Sequence, residues 1–226
     1  MTGWRRLRSI QGAAVAGIVA AVGWVVALGA LLDVPGPTST DAEITAYYAA
    51  HAGSARPLVF LQILVIATIG FLWFIGVIRH RLGAAEPKLF GTVFLGGGIL
   101  LAGLMFVGVA AAATPAILVG ETDRLVDPDA VVTMRVFARI ILAVVAPRIA
   151  SLFVFSMSTL ALRTGAMSRW MVGVSYLTGT AMFLNVTIAE PNVFIFPVWM
   201  AAVSVYLLFL AEEVKESTHG LGGSEA

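Results

Sequence analysis

The chain contains no cysteine, which excludes disulfide frameworks, thiol nucleophiles, iron–sulfur clusters and thiolate zinc sites together. Charge is scarce too: Asp, Glu, Lys and Arg make up 12% of 226 residues. Only three histidines occur, His51, His80 and His219, and all three are expected in loops or the tail. A haem held between spans and a multi-histidine metal site within a membrane are thereby excluded, and no cofactor is expected. There is no G-x-S-x-G, H-E-x-x-H or P-loop sequence, and no pair of carboxylates inside an apolar run, so no catalytic residue is assigned. Net charge is +1 without a basic stripe, which argues against nucleic acid as a partner. Apolar residues, by contrast, supply 59% of the chain, and mean hydropathy is +0.95. A water-soluble globular domain is ruled out.

A helix needs roughly 20 apolar residues to cross a hydrocarbon core of about 30 Å, where no water satisfies broken backbone hydrogen bonds. Six stretches are read as spans, at about residues 10–32, 57–78, 89–114, 131–162, 170–189 and 192–211. The fourth is interrupted by Arg135, Arg139 and Arg148, and is counted because nothing else carries the chain back across. The predicted fold class is all-α, a polytopic membrane protein built as a bundle of six transmembrane helices, with a disordered tail over 212–226. Placing the N-terminus in the cytoplasm puts nine basic residues inside (Arg5, Arg6, Arg8, Arg79, Arg81, Lys88, Arg163, Arg169 and Lys215) against Arg56 and Arg124 outside. Both termini are then cytoplasmic. The first apolar run exceeds the 7–15 residues typical of a signal-peptide core, so it is read as an uncleaved span.

Between the first two spans, Val34-Pro35-Gly36-Pro37 breaks the chain, and Thr40-Asp41-Ala42-Glu43 has the spacing of a capping box. A short outer helix is predicted over about 41–52, with Ile44, Tyr47, Tyr48 and His51 on one face, lying flat as an interfacial cover over the bundle. Asp127-Pro128-Asp129 reads as an N-cap and first turn, so the fourth helix starts there and is long enough to need an overhang or a bend at Pro147. Gly96, Gly97, Gly98, Gly103 and Gly108 in span three, and Gly12, Ala16 and Ala20 in span one, are small residues suited to close helix contact.

Arg148 is the most informative residue. Eleven residues, about 16 Å, below a boundary near Phe137, it lies close to mid-membrane, where a charge must face the bundle interior with a partner. Ser151, Phe155, Ser158 and Thr159 follow on its face. No Asp or Glu lies deep in another span, so its partners are sought among Asn185, Gln62, Glu190 and carbonyls freed by Pro147 or by Thr114-Pro115. An arginine tying helices together through carbonyls and an arginine holding an anionic ligand are both consistent with this position. Arg135 and Arg139 share a face at the outer interface, where lipid phosphates or the acidic loop around Glu121, Asp123 and Asp127 can pair with them. Arg148 stands about 180° from Arg139 on a straight helix. Glu190-Pro191-Asn192 forms the turn between the last two spans.

The run Ala46-Tyr47-Tyr48-Ala49-Ala50-His51, the run Phe71-Leu72-Trp73-Phe74, and Leu160-Ala161-Leu162-Arg163-Thr164-Gly165 with Arg169-Trp170 resemble a family of uncharacterised multi-pass membrane proteins of high-GC Gram-positive bacteria. The resemblance implies a bacterial cytoplasmic membrane and carries no activity. The expected function is that of a non-enzymatic binding or accessory protein holding an anionic lipid or small anion, with Arg148, Arg139, Arg135, Ser151, Asn185 and Glu190 as its candidate site. A homo-oligomer or a protein partner in the membrane is compatible with this reading. The alternatives are a small oligomeric secondary transporter and an intramembrane enzyme without a recognisable motif.

Overall fold

The structure, a computed structural model, describes residues 2–82, 88–122, 127–185 and 187–221, and every regular element among them is helical. In chain order these are α1 (Thr2–Gly29), α2 (Asp41–Ala50), α3 (Arg56–Leu82), α4 (Lys88–Thr122), α5 (Pro128–Arg139), a π-helical segment (Ile140–Val145), α6 (Ala146–Thr164), α7 (Arg169–Leu184), a 3-10 turn (Glu190–Phe194) and α8 (Ile195–Leu221). Five stretches among the described residues are long and apolar enough to cross a membrane: Gln11–Gly29, Arg56–Arg79, Leu89–Thr122, Pro128–Thr164 and Pro191–Glu212. Large apolar side chains, such as Trp73, Leu89, Leu177 and Phe209, are exposed, as a bilayer environment requires.

The expected span at 170–189 departs from this pattern. Helix α7 has 16 residues, about 24 Å at the α-helical rise, and stops at Leu184. The local sequence explains the stop: the Asn185 side chain accepts from Thr187 N (2.9 Å) and Thr187 Oγ1 (2.8 Å), a turn that competes with the helix. The β-branched Thr187 and Ile188, and then Pro191, favour extended backbone over continuation. At the other end of the chain, α8 runs to Leu221, beyond Ala211 where the disordered tail was expected. Glu212, Glu213, Lys215 and Glu216 are good helix formers appended to a helix already nucleated, so extension needs no new nucleus.

Neighbouring helices pair antiparallel. Gly23 faces Ala67 and Gly70 faces Ala16 between α1 and α3, while Gly17 meets Ser204 and Trp24 meets Phe196 between α1 and α8. Gly98 meets Phe153 and Gly108 meets Leu142 where α4 lies on the α5–α6 rod, and Thr159 meets Tyr176 between α6 and α7. In each pair residue numbers rise on one helix as they fall on the other. Lipid supplies no hydrophobic drive between helices, so close approach over small residues carries the packing. A methyl group at Gly98 or Gly108 would overlap Ile75 or Leu142, whereas Gly96 and Gly103 face open space. Along α1, Ala13, Gly17 and Ala20 are buried but Gly12 is exposed and Ala16 half-buried, so the contact stripe is displaced by about one residue from the Gly12-Ala16-Ala20 spacing.

The centre of the bundle is a connected set of aromatic rings. Phe153 stacks on Phe94 (4.7 Å) and meets Phe71 (5.3 Å) and Phe196 (5.8 Å), and Trp24 lies 4.9 Å from Phe71. The indoles find partners inside: Trp24 Nε1 donates to Thr68 Oγ1 (3.2 Å) and Trp199 Nε1 to Ser175 Oγ (3.0 Å).

Candidate functional site

The arginines are organised by the break between α5 and α6. Pro147 has no N–H, and its ring crowds the carbonyl four residues back, so a regular α-helix is disfavoured there. The chain responds with the π segment Ile140–Val145, in which Ala146 N donates to Ile141 O, five residues back. Relative to an α-helix this absorbs about one residue, reducing the angle between Arg139 and Arg148 from about 180° to about 80°. Both therefore reach the non-helical stretch after α7.

Arg148 Nη2 donates to the backbone oxygen of Asn185 (3.0 Å), and Nη1 donates to Val144 O within its own turn. Arg139 Nη2 donates to Ile188 O (3.0 Å). Arg135, 3% exposed, donates through Nη2 to Leu31 O (2.8 Å) and Val34 O (3.1 Å), where α1 has ended and the chain turns toward α2. Each arginine thus satisfies carbonyls that a helix end leaves without a partner. Ser151, fully buried, donates to Arg148 O (2.6 Å), Ser158 to Val154 O (2.7 Å), and Thr159 to Phe155 O (2.8 Å) as well as meeting Tyr176 Oη (2.7 Å). That face of α6 is internally satisfied. Asn185 contributes to the Arg148 site through its backbone, not its side chain. Gln62 is exposed on α3, and the side chain of Glu190 lies outside the described residues, as do Asp123 and the turn at Gly83-Ala84.

A narrow cleft opens beside these arginines. Arg135 and Arg139 line it with Leu28, Leu31, Leu142 and Val193, so two arginines one turn apart belong to an otherwise apolar lining. A second, larger cleft lies across Leu31 beneath α2. Its lining comes from the end of α1 and the turn after it (Ala27, then Ala30, Leu31 and Val34), from the start of α3 (Pro57, Phe60) and from one face of α4 (Val109, Ala112, Ala113, Ala116) at i, i+3, i+4, i+7 spacing, and its roof carries Tyr47, Tyr48 and His51.

The roof is built from local chemistry. Thr40 N donates to Glu43 Oε2 (2.7 Å) and Glu43 N to Thr40 Oγ1 (3.3 Å), a complete capping box that starts α2 at Asp41. These bonds hold the Glu43 carboxyl below its ordinary value of 4.5, the Thr40 backbone N–H contributing most. Ile44 and Tyr48 are buried against Val119 of α4 and Val131 of α5, which seats α2 over the bundle end. Burial pushes the Tyr48 phenol up to about 12, against the pull of the Arg135 cation, so it remains a neutral hydroxyl at physiological pH. The Tyr48 hydroxyl is buried and has no hydrogen-bond partner among the described residues. The His51 ring stacks on Tyr47 (4.3 Å), and its Nδ1 lies 2.8 Å from Tyr47 O, the geometry of an N–H donated to that carbonyl.

The sequence pointed to the three arginines, to the α2 face and to Asn185 among the partners of Arg148, but not to the Asn185 backbone oxygen as the acceptor, the π segment or the alanine-lined cleft. The periodic Ala27/Ala30 and Ala112/Ala113/Ala116 pattern was the available signal, and alanines on two helices acquire meaning only when the helices are placed side by side. No protein-family model, curated protein or solved structure matches this chain.

Proposed function

We propose that this chain is a non-enzymatic binding or accessory protein of a bacterial cytoplasmic membrane that holds the anionic head of a lipid, or a small anion, at the cleft flanked by Arg135 and Arg139. The observation that carries this reading is the presence of two arginines one turn apart in the lining of an otherwise apolar cleft. Guanidinium groups suit phosphate oxygens in geometry and charge, and an apolar cleft at a bundle end accepts the first carbons of an acyl chain. Arg148 has the supporting role here: it does not line this cleft, and its bonds to Val144 O and Asn185 O hold the chain where α7 ends. The aromatic packing across the bundle centre favours binding over transport through one subunit.

In this reading the chain crosses six times with both termini cytoplasmic. Helix α7 supplies about 24 Å of its crossing, and the chain beyond Leu184 completes it. Non-helical backbone at membrane depth requires protein partners for its carbonyls, and Arg148 and Arg139 supply two. The antiparallel pairing of α1 with α8 and the excess of basic residues at one set of loops support this orientation.

The test is native mass spectrometry of protein released from nanodiscs containing phosphatidylglycerol and phosphatidylcholine, comparing wild type with Arg139→Gln. Retention of phosphatidylglycerol over phosphatidylcholine in wild type, lost in the variant, is expected. Equal retention in both proteins would sink the reading.

A further inference from the structure

The cleft beneath α2 is separate from the arginine cleft and has a different chemistry. Small side chains dominate its lining, Ala27 on α1, Ala30 just past its end, and Ala112 and Ala113 on α4, with Pro57 and Phe60 of α3 beside them. The free interior is about 70 Å³, a slot rather than a chamber. Its polar residues are gathered at the α2 end: Tyr48 in the roof, with His51, Ser54 and Arg56 where α2 turns into α3. An apolar slot with hydrogen-bonding groups at one end is the negative image of an amphiphile.

The Tyr48 hydroxyl is the decisive group. Tyr48 is 2% exposed, and its oxygen is buried without a partner among the described residues. A buried donor left unmade costs free energy, and native structures rarely leave one without a reason. A ligand oxygen in the cleft satisfies it. Because the phenol stays neutral, it donates, which calls for an acceptor on the ligand. Arg56, exposed at the mouth, adds a fixed positive charge and selects an acceptor that is anionic. An alanine-rich lining and an interior of about 70 Å³ suit the head-proximal carbons of a single slender chain better than a bulky ring system.

We infer that the cleft beneath α2 binds a single-chain amphiphile with an acidic head, its hydrocarbon tail lying between α1 and α4 and its head oxygens at Tyr48 and Arg56. The carboxylate of a free fatty acid and the phosphate of a lysolipid present the same acceptor chemistry. The site does not depend on the Arg135/Arg139 reading, because neither arginine lines this cleft.

The experiment uses the full chain in phosphatidylcholine nanodiscs, with three tailed probes (dodecanoate, dodecyl phosphate and dodecanol) and with inorganic phosphate. Binding is read by native mass spectrometry, and site occupancy by crosslinking of a diazirine-bearing dodecanoate. Dodecanoate or dodecyl phosphate is expected to bind at least tenfold more tightly than dodecanol, and whichever binds better names the head. Crosslinks are expected in the peptides around Ala27–Val34 and Val109–Ala116. Ala113→Leu, which fills the slot, is expected to abolish crosslinking there. Arg56→Gln, an exposed change that leaves the core intact, is expected to weaken binding several-fold, and Tyr48→Phe likewise. Equal binding of dodecanol overturns the acidic head, and binding of inorganic phosphate at the same affinity overturns the tail. Crosslinks spread evenly over lipid-facing helices, or unaltered by Arg56→Gln, overturn the site.

Discussion

Arg139 and Arg148 stand nine residues apart on one helical rod, yet they donate to backbone carbonyls only three residues apart, those of Ile188 and Asn185. On a regular α-helix their side chains would leave opposite faces. The π segment Ile140–Val145 supplies the missing rotation, and Pro147 supplies the reason for the segment. One proline thus determines which stretch of chain the arginines can hold, and that stretch is the one where α7 has come unwound.

Removing Arg148 should expose this dependence. Arg148→Leu leaves Asn185 O without its donor, and a stability loss of about 1–3 kcal/mol is expected from a carbonyl left unpaired. Hydrogen exchange should rise at the C-terminal turn of α7 before it rises anywhere in α4. Unchanged protection of that turn would show that the Arg148 bond does not hold it.

The π segment makes a register prediction. Deleting Val145 together with Pro147→Ala removes the extra residue and the ring that calls for it, so the phase of both flanking helices is kept. Such a protein is expected to elute as a folded species in detergent with its melting temperature within a few degrees of wild type. The same one-residue deletion placed at Leu152 rotates the remainder of α6 by about 100° and is expected to prevent folding. Equal tolerance of the two deletions would remove the phase argument.

Glycines in α4 divide into two classes that mutagenesis can separate. Gly108→Ala forces a methyl group into Leu142 and is expected to destabilise by about 1–3 kcal/mol, the range for overpacking. Gly103→Ala meets nothing within 4 Å and is expected to be neutral or to stabilise by up to about 1 kcal/mol through helix propensity. Thermal unfolding in a fixed detergent measures both.

The Glu43 carboxyl has a lowered pKa, so it stabilises α2 fully above its ordinary value of 4.5, and that contribution fades as pH falls through the lower folded value. Hydrogen exchange in α2, corrected for intrinsic rate, is expected to show protection falling below pH 4.5 in wild type. Glu43→Gln, which cannot titrate, is expected to show a flat profile. Parallel profiles would mean that the carboxylate does not hold the cap.

Tyr48 offers the opposite sign. Its pKa is raised to about 12, so the folded state resists ionising it, and stability is lost as pH rises from the ordinary value of 10 toward 12. Tyrosinate absorbance is expected to contain one late component that disappears in Tyr48→Phe. If that variant keeps the late component, the assignment to Tyr48 is wrong.

Long apolar runs, sparse charge and helix signals at Thr40/Glu43 and Asp127/Pro128 are local properties, and from them the sequence alone determined an all-helical membrane fold, most element starts and the residues worth watching. Hydropathy could not say where α7 ends, because the stretch from Asn185 to Ala189 carries no charge and reads on average as the continuation of a span, whereas the bonds of the Asn185 side chain to Thr187 end the helix. Tertiary structure alone decided what Arg148 touches, since the acceptor is a backbone carbonyl, a group that every residue carries and that no sequence pattern marks. It also decided that alanines on α1 and α4, unremarkable on either helix, leave a slot between them. A helix carries its periodicity with it, but a cavity belongs to the space between helices and exists only once they are packed.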